Sequence, residues 1–443
     1  MNTFRLGGVH PQENKLASEN AIELFPLPEK AVVFVSQHLG APSTPVVQKG
    51  DRVKTGQLLA KAEAFICANT HSPYTGVITK IDVATDFNGY KKPAFYIDVE
   101  ADEWCEEIDT TEDIIKEIKL SPKEIVERIK DRGIVGLGGA AFPTHVKYMI
   151  PEDKKADYVI INAAECEPYL TSDNRVILEH TEEVLIGIEI MKKALNINKA
   201  KIGIEANKPK AIEALKKILP SFPGTEVVAL KTKYPQGAEK QLIYALTKRE
   251  VPSGKLPIEV GCVVNNIGTA FAIYQAVQKN RPLIDNVLTY TGKKAEINKN
   301  LLVRVGTSIQ SIIDFCGGLP EDTGKVINGG PMMGKAMMDL TAPTTKTTSS
   351  ILVMSEAESS RKKMTNCLRC GKCVSACPMG LEPIQISLLA KQERWEEAEK
   401  ECAMDCIECG SCLFTCPAGQ PLLDIIRVAK SKIGAIRRAR SKK

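Results

Sequence analysis

Two cysteine runs near the C-terminus constrain this chain more than any other feature. The first is Cys367, Cys370, Cys373, Cys377 and Pro378, and the second is Cys406, Cys409, Cys412, Cys416 and Pro417. Each reads C-x-x-C-x-x-C-x-x-x-C-P, the spacing that holds 4Fe-4S clusters in two-cluster ferredoxin-type modules. Two-residue gaps let three thiolates converge on one cuboidal cluster from a tight loop, whose backbone N–H groups also point at the sulfurs. The fourth cysteine is carried off along a helix, is turned by the proline, and in such modules ligates the other cluster. The expected sets are Cys367, Cys370, Cys373 and Cys416 on one cluster, and Cys406, Cys409, Cys412 and Cys377 on the second. Zinc normally takes two pairs with a longer gap between them, and disulfides are disfavoured in a reducing compartment. Between the runs, Ile384, Leu388 and Leu389 recur at helical spacing, and Trp395 and Ala398 continue the stripe. Leu381 to Glu401 is therefore expected to be helical, with Trp395 in the core of an all-helical module.

The chain has 14 cysteines in 443 residues, which is high for an intracellular protein. Outside the runs, Cys67, Cys105, Cys166, Cys262, Cys316 and Cys402 form no further ligand series and read as small buried hydrophobes. Cys166, between two glutamates, is the one to test. Met1 to Gly8 shows no basic region followed by an apolar core, so no secretory signal is expected and a reducing cytosol is. No apolar stretch reaches the roughly 20 residues of a membrane helix. Net charge is +5, but Asp424 to Lys443 holds eight Lys or Arg against one Asp, a net of +7 that leaves −2 on the rest. The basic pI therefore reports a tail and no dispersed nucleic-acid surface. That tail, interrupted by Ile433-Gly434-Ala435-Ile436, reads as a solvated extension; anionic headgroups or acidic subunits are its alternative contacts.

From about Ser121 to Arg281, helical and strand patterns alternate. Tyr158 to Asn162, Lys201 to Ile204, Val227 to Leu230 and Cys262 to Val264 read as strands, separated by amphipathic stretches such as Glu182 to Leu195 and Lys208 to Leu219. That alternation predicts a parallel, doubly wound α/β sheet with ligands at the carboxyl ends of its strands. Four loops there carry polar chemistry. Gly136-Leu137-Gly138-Gly139-Ala140-Ala141-Phe142-Pro143-Thr144 lets backbone approach a phosphate or flat ring, with Lys147 placed to add positive charge. Its spacing is not the G-x-G-x-x-G of dinucleotide sites, and a tight structural turn explains its glycines equally well. Asn162 to Pro168 follows a strand, and its amide and the carboxylates of Glu165 and Glu167 suit a ribityl chain, a ribose or a carboxamide. Tyr234 to Glu239 and Asn265 to Thr269 complete the set. Each alone fits a capped turn; together they point to a ligand.

Near the N-terminus, Val47 to Leu59 alternates β-branched and polar residues around a Gly-Asp turn, and Ser72 to Ile78 repeats the habit. This is similar to a barrel-sandwich hybrid, the fold of lipoyl and biotinyl carrier domains. Ile66 stands where those carriers have the modified lysine, on the hairpin from Glu63 to Cys67, so a docking element is expected and prosthetic attachment is not. From Asn286 to Met338, strand-like Val287 to Tyr290 and Leu301 to Val305, helical Ser308 to Phe315 and two Gly-Gly pairs predict a small β-grasp domain. Thr341 to Ser350, rich in Thr and Ser, reads as a linker. The expected organisation is multidomain α/β: a barrel-sandwich hybrid over 1–110, an α/β domain over 111–282, a β-grasp domain and linker over 283–350, a two-cluster module over 351–430 and a basic tail over 431–443.

The ordered set G-L-G-G-A-A-F-P-T, N-A-A-E-C-E-P, Y-P-Q-G-A-E and N-N-I-G-T, followed by the two cysteine runs, resembles the FMN- and NADH-binding subunit of respiratory complex I. It resembles more closely the C subunit of the Rnf electron-transport complexes, over nearly the whole chain. Relative to the complex I pattern, Leu137 replaces an arginine, Ala164 an aspartate and Ala238 a glutamate. The resemblance implies a Rossmann-like domain in which non-covalent FMN is held by Gly136, Gly138, Gly139, Ala140, Lys147, Asn162, Tyr234, Gly237, Glu239, Asn265, Asn266 and Thr269. It places Glu165 and Glu167 near the flavin and nicotinamide, makes Phe142 a stacking residue, and makes the β-grasp domain one of the soluble-ligand-binding type. The implied activity is that of an oxidoreductase subunit, exchanging hydride between NAD(H) and FMN and single electrons with two 4Fe-4S clusters. Other, membrane-embedded subunits would translocate Na+ or H+, and a ferredoxin-like subunit would be the electron donor. The chain would sit peripherally on the cytoplasmic face of the cell membrane. A corrin (cobalamin) reductase built from the same modules is one alternative, disfavoured by the barrel-sandwich segment lying at the N-terminus; a non-catalytic iron-sulfur relay is another.

Overall fold

Residues 1–440 are described by the computed structural model of the chain. In its middle, four Val- and Ile-rich strands, Tyr158–Ala163, Ala200–Glu205, Thr225–Leu230 and Cys262–Asn266, form an all-parallel sheet. Successive side chains leave a strand on opposite faces, so Val159 and Ile161 enter one buried core and Ile160 enters the other. Burial on both faces is what requires the near-continuous apolar runs of these strands. Helices Thr181–Ala194 and Ile267–Lys279 close the first core. They approach so closely that a Cβ on Gly187 would lie 2.1 Å from the Ala270 carbonyl oxygen. The first strand pairs with both the second and the fourth, Asn162 standing in register with Gly203 and with Asn266. Strand order therefore reverses beside Tyr158–Ala163, and the carboxyl ends part there into the crevice where doubly wound sheets bind ligands.

Two antiparallel sheets make the N-terminal barrel-sandwich. One contains Lys30–Phe34, Lys91–Ala101, Thr75–Thr85 and Arg52–Val53, and the other Thr44–Pro45, Leu58–Lys61 and Thr70–His71. Val33, Leu59, Tyr74, Ile78 and Phe95 fill the space between them. Glu63 to Cys67 lies in the loop joining Leu58–Lys61 to its antiparallel partner Thr70–His71. The Leu39 N–H donates to the Ala141 carbonyl at 3.1 Å, which seats an edge of this unit on the glycine loop.

A third sheet has six strands in the order Ile22–Leu24, Lys299–Arg304, Asp285–Thr291, Ser350–Ser355, Thr323–Asn328 and Lys335–Ala336, with helix Ile309–Phe315 packed on it. It departs from expectation at both ends of its sequence range. Ile22–Leu24, expected in the N-terminal unit, runs parallel to Lys299–Arg304; three residues are too few to show a pattern. Thr341 to Ser350 is no free linker, since Thr344, Lys346, Thr348 and Ser350 are buried. Ser350–Ser355 continues it as an inner strand of the sheet, so the expected limit at 350 cuts through the fold. The polar composition disguised this because the segment's polar groups are paired within the fold: the Thr345 N–H donates to Thr348 Oγ1 at 2.9 Å and the Thr344 N–H to the Thr307 carbonyl at 2.7 Å. Lys346 Nζ donates to the carbonyls of Asn69 and Gly133 at 2.9 and 2.7 Å, tying the three units together. Burial pushes its pKa down to about 7.

The cysteine runs lie in a helical module. Pro383–Lys391 and Trp395–Lys400 are two helices where one was expected, broken at Glu393, which takes φ of +57°. Trp395 packs against the module's core as expected. The tail is not a solvated extension as far as Arg440: Leu422–Arg440 is one helix, with Leu422, Ile426, Ala429 and Ile433 buried along one stripe. Arg437 meets Glu399 at 2.5 Å and Arg440 meets Glu396 at 2.6 Å. The rest of the expected tail, residues 441–443, lies outside the described residues. Among the described residues no helix is long and apolar enough to cross a membrane. Ile433→Asp places an unpartnered carboxylate in this core and is expected to cost about 3 kcal/mol or more. Lost iron content and faster proteolysis of the module would register it, whereas Val428→Asp, at a position 52% exposed, leaves both unchanged.

Candidate functional site

The four polar loops meet at the carboxyl ends of the first and fourth parallel strands. The Leu137 N–H donates to Thr269 Oγ1 at 3.0 Å, and Asn162 Nδ2 donates to the Gly237 carbonyl at 2.8 Å. Gly138 presses on the Asn266 amide, which lies 3.2 Å from the place a Cβ would take. The Gly136 N–H closes the glycine loop on the Phe142 carbonyl at 2.9 Å, and half-buried Phe142 follows Ala141, held at φ of +55°. Helix Ile267–Lys279 begins in the crevice, capped by Asn266 Oδ1 accepting the Gly268 N–H at 2.7 Å. Lys147 Nζ donates to the Val264 carbonyl at 2.9 Å; burial lowers its pKa and the Glu239 carboxylate opposes that. Some polarity is left unpaired. Asn265 Nδ2 donates to Tyr148 Oη at 3.2 Å, but its buried Oδ1 has no hydrogen-bond partner, and Gly139 faces open space. A glycine-walled crevice with a helix N-terminus, an ammonium and free amide oxygen fits a flat, polar, phosphate-bearing group such as FMN.

The acidic loop is pinned from a distance. Lys15 Nζ donates to the carbonyls of Glu165, Glu167 and Leu170 at 2.8, 2.9 and 2.6 Å. Burial lowers the Lys15 pKa, although the Glu165 carboxylate raises it. Glu165, at φ of +44°, accepts the Asp173 N–H on Oε1 at 2.7 Å, while Lys15 stands 3.9 Å from its Oε2, which has no hydrogen-bond partner. Asp173 accepts from Asn266 Nδ2 at 2.8 Å and is pushed up to about 7 by burial and by the Glu165 charge. Burial also pushes Glu167 up to about 7, against the Met332 and Met333 N–H groups that it accepts at 3.1 and 2.8 Å. Gly330 is required there, because a Cβ would come within 2.1 Å of Glu167 Oε2. Cys166 Sγ accepts the Gly237 N–H at 3.3 Å, and burial pushes its thiol up to about 12, so it braces the third loop and is no reactive thiolate.

Tyr234 leads from the crevice to the cysteines. Its hydroxyl donates to the Cys409 carbonyl at 2.8 Å and lies 3.4 Å from Glu167 Oε1. Cys377, Cys406, Cys409 and Cys412 line one shared pocket. Among the described residues no three such groups converge as tightly as ligands of a single metal ion do; a cuboidal cluster spreads its thiolates over four irons. Burial, together with the neighbouring thiols Cys409 and Cys377, pushes the Cys406 thiol up to about 11. Such a donor set fits a cationic centre that displaces the protons. In the first run Cys367 and Cys370 are exposed, Cys373 is half-buried, and the neighbouring thiol is Cys416 of the second run. Each fourth cysteine thus lies with the other run.

Sequence reading passed over Lys15, Asp173 and the Met332-Met333 backbone. Lys15 acts across 150 residues and carries no local signal. Asp173 had one, an acid in the first turn of helix Ser172–Glu179 just beyond the acidic loop. In the sequence the glycine pair before Pro331 marks only the β-grasp pattern.

The family model described as the Nuo51 FMN-binding domain matches residues 129–275, and the RnfC barrel sandwich hybrid domain matches residues 3–103. Two 4Fe-4S dicluster models match residues 359–417 and 332–382. Fold and sites together define a flavin- and iron-sulfur-dependent electron-transfer protein, with FMN and two 4Fe-4S clusters as its cofactors. The C subunit of the proton-translocating ferredoxin:NAD(+) oxidoreductase complex of Clostridium ljungdahlii is 49% identical over 90% of this chain and 87% of its own length. The C subunit of the Na(+)-translocating ferredoxin:NAD(+) oxidoreductase complex of Acetobacterium woodii is 42% identical over 98% of each. The chain belongs to this family, the C subunits of the ion-translocating Rnf oxidoreductase complexes, and is an electron-transfer subunit. An NAD+-reducing [NiFe]-hydrogenase in the H2-reduced state shares the fold at a TM-score of 0.51 and 18% identity, over 71% of this chain and 63% of that one.

Lys15→Met leaves three carbonyls without their donor. With about 1–3 kcal/mol for an unsatisfied buried group, FMN is expected to bind at least tenfold more weakly, read by flavin fluorescence titration. Glu167 and Asp173 are raised above ordinary carboxylates, so their charged forms are disfavoured in the fold. Stability they contribute is present when protonated and is lost as pH rises from the usual carboxylate range through about 7. Difference infrared titration is expected to show a carboxylic-acid band vanishing near pH 7, diminished in Glu167→Gln and absent in Glu167→Gln/Asp173→Asn.

Proposed function

We propose that this subunit passes electrons between NAD(H) in the crevice and an outside one-electron carrier, first through the Cys377, Cys406, Cys409 and Cys412 set and then through the Cys367, Cys370, Cys373 and Cys416 set. The observation that carries this reading is the joint at Tyr234, whose hydroxyl holds the Cys409 carbonyl while Val9, Ala376, Cys166, Met332 and Ile407 pack around it. Held in the crevice by the glycine loop, Lys147 and the Asn265 to Thr269 loop, FMN would supply the exchange between a hydride's electron pair and the single electrons that 4Fe-4S clusters carry.

The chain's own residues bind, orient and exclude. Gly136, Gly138, Gly139 and Ala140 admit phosphate and ring to the backbone. Lys147 and the helix start at Asn266 and Thr269 supply positive potential toward the phosphate. Asn162, Gly237 and Asn265 orient the polar edges, Glu239 balances the Lys147 charge, and Phe142 stacks on the nicotinamide. Glu165 and Glu167 accept from ribityl and ribose hydroxyls, and Glu167 gains or releases its proton close to neutrality. The outer carrier is a ferredoxin-like subunit, and the assembly lies on the cytoplasmic face of the membrane. Ion movement, Na+ or H+, belongs to membrane-embedded partners. The names of the relatives, subunits of proton- or Na(+)-translocating ferredoxin:NAD(+) oxidoreductase complexes, support the reading of ferredoxin-linked ion movement.

Cys416→Ala is expected to abolish the electron paramagnetic resonance signal of one cluster while NADH still reduces the other. Cys377→Ala is expected to leave one cluster that dithionite reduces and NADH does not. NADH reduction of the surviving cluster at an undiminished rate in Cys377→Ala would overturn the proposed order.

A further inference from the structure

We infer that the exposed face spanning Lys362 to Val374 is the docking surface for an acidic one-electron carrier protein; this rests on the electron route proposed above and specifies where that route leaves the chain. The two cysteine runs differ sharply in exposure. Cys377, Cys409, Cys412 and Cys416 are buried, whereas Cys367 and Cys370 are exposed. Only the first run therefore brings its ligands to the surface, and electron exchange with another protein needs such an approach.

The charge of the same segment is one-sided. From Ser360 to Ser375 there are five Lys or Arg and no Asp or Glu. Arg361 is held by Asp424, but Lys362, Lys363, Arg369 and Lys372 make no ion pair among the described residues. The cations of the C-terminal helix behave differently. Arg427 and Lys430 meet Glu408, Arg437 meets Glu399, and Arg440 meets Glu396 and Glu399. The cations of the first cysteine run are thus left without ion pairs among the described residues, whereas Arg427, Lys430, Arg437 and Arg440 of the C-terminal helix are paired within the chain.

Apolar side chains stand among these cations: Leu368 is 66% exposed and Met364 59%. A few exposed apolar groups ringed by one sign of charge make a surface for brief, steered encounters, in which charge sets the association rate and small apolar contacts set the register. An anionic bilayer would satisfy the cations but exchanges no electrons with the cysteine run at their centre; an acidic carrier protein does both. In the encounter one electron leaves the reduced carrier and enters the first-run cluster, or the reverse. The carrier's charge changes by one unit, and no bond or proton moves.

The test is binding of a strongly acidic 2[4Fe-4S] ferredoxin to the full chain by isothermal titration at low ionic strength. Lys362→Glu/Lys363→Glu/Lys372→Glu is expected to weaken it at least tenfold, with NADH-dependent ferricyanide reduction unchanged. The remote reversal Lys216→Glu/Lys217→Glu/Lys255→Glu, of equal charge change, is expected to leave it intact. Unmodified protein should lose affinity steeply between about 0.02 and 0.5 M salt. Equal weakening by both triple variants, or salt-independent binding, overturns the inference. So does loss of binding to phosphatidylglycerol vesicles alone, with ferredoxin affinity retained. Iron analysis separates this from failure of the underlying route. A chain without about eight iron atoms refutes the route, and charge-sensitive ferredoxin binding by it still supports the face.

Discussion

A hydroxyl on a carbonyl, Tyr234 on Cys409, joins two halves of the chemistry that lie 175 residues apart, with buried Gln241 Nε2 donating to the Pro378 carbonyl nearby at 3.1 Å. Electron transfer between bound groups depends on separation more steeply than on any other structural variable, so the joint must be rigid. The surroundings make it so. Tyr234 is buried, its backbone pairs with Val9, and Met332 and Ile407 close over it from two other units. The same phenol also lies against Glu167, so the acidic loop of the crevice and the module share one anchor.

The crevice is built from groups that cannot all be satisfied by the protein itself. Asn265 Oδ1 and Glu165 Oε2 are left without hydrogen-bond partners, and two carboxyls are held well above their ordinary range. Buried polar atoms are normally paired; Glu165 Oε2 and Asn265 Oδ1, both unpaired at the strand-order reversal beside two raised carboxyls, suit the place to a polar ligand. Lys15 sets the shape. One ammonium shared by three carbonyls fixes a loop containing a left-handed Glu165, a conformation that a non-glycine residue keeps only when its surroundings insist.

What could be read from the sequence was local or periodic. Cysteine spacing, four polar loops and the apolar runs of a doubly buried sheet are all patterns within a few residues, and the structure brings those four loops to one crevice. What was hidden depended on partners far away in the chain. Ser350–Ser355 becomes an inner strand only because Asp285–Thr291 and Thr323–Asn328 flank it. The threonines before it look like a linker because hydroxyls that bond to their own backbone neighbourhood leave the same composition as hydroxyls facing water. The tail misled for a different reason. Leu422, Ile426, Ala429 and Ile433 do recur at helical spacing, but the dense charge around them drew the reading toward solvent, and the glutamates that neutralise it lie on another helix.

The first ten residues of the chain have a part in this that their position would not announce. The Gly8 N–H donates to the Ala376 carbonyl at 2.9 Å, and Gly7 lies so close that a Cβ would fall 2.4 Å from the Cys377 carbonyl oxygen. Gly7 and Gly8 are therefore clamped on the cysteine module, a contact of very high sequence separation. Through Val9, which pairs with Tyr234, the same short segment latches the first cysteine run to the crevice, and any side chain at position 7 would press directly on the Cys377 carbonyl.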